Sequence, residues 1–178
     1  MAVVVFLRGV NVGGKRVFRP AALAQELAPF DVVQVGAAGT FVARRPVAQA
    51  TLRAALRLRL PFAAECMLCQ GRQILALVDS QPFGSDAPAK GVRRYVSILT
   101  KLPPSVPPLP FTQPAGSPWQ VKIVGVHRRY VLSEGRRSGK AFLYPNEVVE
   151  RKLGVPATTR SWDTILKVHE ILQRERPR

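Results

Sequence analysis

The sequence predicts an α+β fold made of two small sheet-and-helix halves. Three observations carry that prediction. The first 70 residues alternate apolar runs and helical patterns in the order β-α-β-β-α-β, the signature of a ferredoxin-like unit. The pattern breaks near Gln81-Pro82-Phe83-Gly84, and a second series of strand patterns follows. An amphipathic helical segment closes the chain. The expected organisation is a ferredoxin-like subdomain over residues 1–82 and a second α+β subdomain over 83–178.

The elements follow in order. Val3 to Leu7 is an unbroken apolar run, which reads as a buried strand. A glycine-rich loop, GVNVGGKRVF, comes next. Pro20 opens a helix with Leu23, Leu27 and Phe30 at helical spacing, and Pro29 stops it. Asp31 to Val35 and Thr40 to Ala43 flank the turn Gly36-Ala37-Ala38-Gly39 as a hairpin. Pro46 opens a longer helix through Leu60, and Pro61 breaks it. Phe62 to Leu68 reads as a strand and Arg72 to Val78 as a short helix. In the second half, Arg94 to Leu99 alternates as a strand. Residues 103–118 hold seven of the sixteen prolines, which excludes a helix interior or a central strand there. That loop is a stiff excursion or, less often, a polyproline ligand for a protein partner. Trp119 to Val124 and Arg129 to Leu132 form a hairpin across Gly125 to Arg128. A helix from Asn146 to Leu153 ends at Gly154, a natural C-cap, and the last helix carries Trp162, Ile165, His169 and Leu172 along one stripe.

Composition sets bounds on function. With 47% apolar and 21% charged residues the chain can bury a real core, and its longest opening apolar run is too short for a leader or a bilayer span. A cytoplasmic protein is expected. Charge dominates: 27 Lys+Arg against 11 Asp+Glu gives +16. Nine basic and two acidic side chains lie in residues 1–60, five and three in 61–110, and thirteen and six in 111–178, so the excess occupies both outer thirds. Such a balance favours nucleic acid or another polyanion. An arginine-rich solvated surface is also what a GC-rich genome writes.

Catalytic and metal templates fail on inventory. Cys66-Met-Leu-Cys69 lacks a second Cys/His pair for zinc, and on a strand its two thiols point to opposite faces as buried residues. His127 falls in a turn and His169 on an apolar stripe, without triad partners at a useful spacing. No cofactor, metal or catalytic residue is expected. Aromatic residues, at 7%, are sparse for a stacking surface, which disfavours RNA recognition.

Two segments remain as anion-binding candidates. Gly9 to Lys15 has the spacing of a phosphate-binding loop, but Arg16 stands where a Ser or Thr would ligate magnesium, and the helix starts only near Pro20. That excludes nucleotide hydrolysis. It leaves an anion nest at Asn11, Gly13 and Gly14 with Arg8, Lys15 and Arg16 supplying charge, or else a wide connection whose glycines satisfy backbone geometry. In Thr158-Thr159-Arg160-Ser161-Trp162-Asp163-Thr164, Thr159 or Ser161 can cap the last helix, and Arg160, Thr164 and Lys167 would hold an anion at its positive end. Read without a ligand, Thr159 caps a helix that Trp162 anchors.

The opening LRGVNVGGKRV and the closing TTRSWDTILKV resemble the terminal signatures of domain-of-unknown-function family 1697, and VDSQPFG resembles its middle. The resemblance implies an α+β fold of two subdomains in bacterial cytoplasmic proteins, and no particular activity. Ala38-Gly39-Thr40-Phe41 replaces the family's Ser-Gly-Asn-Val, and Ser161 and Asp163 replace two asparagines. Two readings of function follow. One is a non-catalytic protein that binds phosphates of nucleic acid or a small anion. The other is an enzyme or sensor for a phosphorylated or carboxylated metabolite, in a pocket lined by Arg8, Asn11, Lys15 and Arg160.

Overall fold

The computed structural model describes residues 1–11, 14, 16–116, 118–137 and 142–174. It is a mixed α+β structure with two antiparallel sheets and five α-helices. By internal contacts the chain groups into two units, Met1–Ser80 with Thr164–Arg178, and Gln81–Asp163.

In the first unit, β1 (Val3–Leu7), β2 (Val32–Val35), β3 (Thr40–Ala43) and β4 (Cys66–Gln70) form one sheet in the order β2-β3-β1-β4, each neighbour antiparallel. The unbroken apolar run of β1 is explained by burial on both faces. Val3, Val5 and Leu7 share a core with Phe41, Leu68 and the helices α1 (Pro20–Glu26) and α2 (Gln49–Arg59) through Leu23, Leu52 and Leu56. On the opposite face Val4, Phe6, Val42 and Met67 are buried as well. Cys66 and Cys69 are buried thiols with no disulfide between them, on opposite faces, because Cys66 pairs with Leu7 and Cys69 with Val4. After β4, α3 (Gly71–Asp79) starts with a capping box in which Gln70 and Gln73 bond each other's backbone. At the C-terminal end of α3, Asp79 lies 2.8 Å from His169 Nε2 of α5 (Trp162–Arg174).

The second unit holds β5 (Val92–Leu99), β6 (Phe111–Gln113), β7 (Val121–His127), β8 (Tyr130–Arg136) and β9 (Ala157–Ser161), ordered β6-β7-β8-β5-β9 and antiparallel throughout. Helix α4 (Pro145–Leu153) covers one face, packing Val148, Val149 and Leu153 on Leu99, Ile123 and Val131. It ends at Gly154 with φ +64°, the left-handed C-cap that its glycine suggests.

Several boundaries depart from the sequence reading. β4 begins at Cys66 rather than Phe62, and α2 at Gln49 rather than Pro46. The β7–β8 turn falls at Arg128-Arg129, with Arg128 at φ +55°, while Gly125 stays in the strand beside a bulge. The proline-rich segment holds a strand after all, but a three-residue one at the sheet margin between Pro110 and Pro114. The largest departure is β9. Residues 157–161 are a strand hydrogen-bonded to β5, where the sequence suggested the lead-in to a helix.

Among the described residues no helix is long and apolar enough to cross a membrane, and no cluster of three His, Cys, Asp or Glu side chains could hold a metal ion.

Candidate functional site

The β1–α1 loop is pinned by its own polar groups. Arg8 donates its amide hydrogen to the Glu65 carbonyl, and its guanidinium lies 2.8 Å from the Glu65 carboxylate. Asn11, at φ +53°, donates from Nδ2 to the Ala37 carbonyl and accepts the Phe18 amide at Oδ1. It thus ties the loop to the β2–β3 turn and to the approach to α1, a structural use of a side chain that the sequence offered as an anion ligand. Gly14, at φ +71°, is exposed with open space around its Cα, and Arg16 beside it is exposed too. Gly13 and Lys15 lie outside the described residues.

The second candidate segment is strand rather than helix cap. Because β9 runs through Ser161, Thr159 faces β5 and α4. Its hydroxyl lies 2.6 Å from that of Ser97 and donates to Asn146 Oδ1 at 2.9 Å. Arg160 alternates to the opposite face and is only 6% exposed. Its Nη1 donates to Thr158 Oγ1 and to the Thr159 carbonyl, and burial pulls its pKa down to about 10, with Tyr144 opposing. Trp162, the first residue of α5, sets its ring edge-on against Phe83 at 5.1 Å, and Arg94 covers Phe83 at 5.2 Å. Thr164 is half-buried in the first turn of α5, and Lys167 is exposed one turn later.

The structure therefore gathers Arg8, Asn11 and Gly14 on one loop of the first unit, and Thr159, Arg160 and Trp162 around one strand end of the second. By the same division, Thr164 and Lys167 belong to the first unit.

The sequence reading missed a grouping on the α4-covered face of the second sheet. Tyr95 of β5 lies against Gly135, where an added Cβ would come within 3.0 Å of the tyrosine ring. Tyr144 meets Tyr95 edge-on at 6.2 Å, and Phe142 meets Tyr144 at 6.0 Å. Arg137 sits 5.7 Å from the Phe142 ring centre, and Arg136 stacks on Trp119 at 4.2 Å while donating to its carbonyl. Burial pushes the Tyr95 hydroxyl pKa up, and the nearby charges of Arg93 and Arg137 oppose it. The local signal was present in Arg136-Arg137 followed by Phe142-Leu-Tyr144, but Tyr95 joins only through strand pairing.

The family model for DUF1697, a protein family of unknown function, matches residues 1–125. The chain belongs to DUF1697. A conserved bacterial protein of Streptococcus pneumoniae, SP0830, has a similar structure, with a TM-score of 0.56 and 17% identity over 96% of this chain and 98% of that one. At that identity the likeness speaks to the fold, which this DUF1697 member shares over nearly its whole length. No curated protein matches the sequence.

Proposed function

We propose that this DUF1697 protein is a non-catalytic binder of polyanions, nucleic acid foremost. The observation that carries the reading is the net charge of +16, spread over both outer thirds of the chain. Arg16, Arg57, Arg72, Arg93, Arg137 and Lys167 are all exposed, and the chain has eleven carboxylates to offset its 27 basic side chains. Positive charge distributed in this way releases counterions from a phosphate backbone without reading sequence. The β1–α1 loop adds Arg16 beside the open backbone of Gly14, with Lys15 between them in sequence. Arg160 enters this reading as a support for the β9 strand end, since its guanidinium is turned into the protein.

The test is filter binding of DNA and RNA across a salt series, beside a lysozyme-like basic control. Binding through about six phosphates loses roughly a thousandfold in affinity between about 50 and 200 mM salt. The paired change Lys15→Ala with Arg16→Ala should flatten that slope. Affinity no better than the control's, with no effect of the paired change, would end the proposal.

A further inference from the structure

Aromatic side chains are few in this protein, yet three of them line up with arginines at one place. Tyr95, Tyr144 and Phe142 form a continuous edge-to-face series, with ring centres 6.2 and 6.0 Å apart. The inner ring is buried, since Tyr95 is 7% exposed and packs over Gly135, where an added Cβ would stand a tight 3.0 Å from it. The outer two are open, with Phe142 37% and Tyr144 40% exposed. Large aromatic side chains left at the surface need a reason when they occur side by side. Cations border them. Arg137 is exposed and lies over the Phe142 ring, and Arg93 is exposed on the strand position opposite Gly135. The phenol of Tyr95 senses both charges.

Half-open rings backed by a buried one and bordered by guanidinium groups are what unpaired bases require. A base offers a flat face to stack on an aromatic ring, and the phosphate on either side of it meets an arginine. A base-paired duplex hides its faces and cannot use the rings. The charge of the whole chain suits the same occupant.

We infer that Phe142 and Tyr144, flanked by Arg93 and Arg137, form a stacking platform for the bases of single-stranded nucleic acid. This rests on the polyanion reading and adds to it a place and a preference for unpaired strands. The arginines hold phosphates, the outer rings hold bases, and Tyr95 with Pro145 backs the platform from the protein side.

The experiment uses the full chain and fluorescence anisotropy, with labelled oligo-dT and oligo-rU of about fifteen nucleotides, a duplex of equal length, and heparin as a base-free polyanion. Single strands should bind more tightly than the duplex at equal salt. Phe142→Ala and Tyr144→Ala should each weaken single-strand binding about tenfold and leave heparin binding unchanged. Phe142→Trp should retain or tighten single-strand binding, and Arg137→Gln should weaken it and lower the salt slope. Circular dichroism melts check that each variant folds, and Phe142→Trp supplies a reading that does not depend on truncation. Equal affinity of wild type and both alanine variants for single strands overturns the platform, as does preference for the duplex. Heparin and duplex binding that persist in either case leave the polyanion reading standing. No binding of any of these polyanions above the basic control ends both.

Discussion

Ser97 and Thr159 face each other across β5 and β9 with their hydroxyl oxygens 2.6 Å apart and almost no access to solvent. Thr159 gives its proton to Asn146 Oδ1, so Ser97 must be the donor to Thr159. A three-member relay from β5 through β9 to the start of α4 results. Thr159→Val keeps the shape and the strand preference but leaves Ser97 and Asn146 without partners. Denaturant unfolding should show a loss of about 2 kcal/mol, and adding Ser97→Ala should recover part of it.

Arg160 sits on the same strand and faces the other way. Its contacts include Thr158 Oγ1 and the Thr159 carbonyl, within a buried setting. Arg160→Ala should therefore cost about 2–3 kcal/mol in unfolding, by loss of buried hydrogen bonds and packed volume. Polyanion affinity measured on the folded variant should stay within about twofold of wild type, since one interior charge contributes little to counterion release. A stable variant with weakened binding would return Arg160 to the role of ligand.

Gly39 is a position no other residue fits. Its φ is +70°, and a Cβ there would stand 2.7 Å from Val10 Cγ2 and 2.9 Å from Leu7 Cβ. Both the backbone region and the space exclude a side chain. Gly39→Ala should lower stability by about 2–4 kcal/mol in chemical denaturation, whereas Gly36→Ala, with open space at its Cβ position, should lose only the smaller backbone term of about 1 kcal/mol.

Asp31 is held below the ordinary carboxylate range, first by its hydrogen bond from Arg44 and then by the charges of Arg44 and Arg45. A lowered folded-state pKa contributes stability above the unfolded value, which disappears as pH falls through the folded one. Melting temperature should therefore drop below about pH 4, and Asp31→Asn should show a shallower drop over the same interval. Parallel curves for the two proteins would remove Asp31 from the acid response.

Much of the fold was legible because single residues left few options. An apolar run from Val3 to Leu7 has to be buried on both faces, Pro20 suits the first turn of a helix, and Gly154 ends one at positive φ. β9 was not legible. Thr158, Thr159 and Ser161 suit a helix cap as well as a strand, and what decides is pairing with β5, some sixty residues earlier in the chain. The same distance effect governs the site. Asn11 was offered by the sequence as an anion ligand; its Ala37 partner lies 26 residues away, so its structural use could not be read locally. The aromatic series draws on β5 and on the segment before α4, and only the sheet register unites them.

The margin strand β6 has a consequence for behaviour at high concentration. A three-residue strand with Pro110 before it and Pro114 after it offers an approaching chain few amide hydrogens and little length to grip. On that side the second sheet should resist growing by accretion of further copies, which guards a densely arginine-coated protein against fibrils when its repulsive charge is screened by salt.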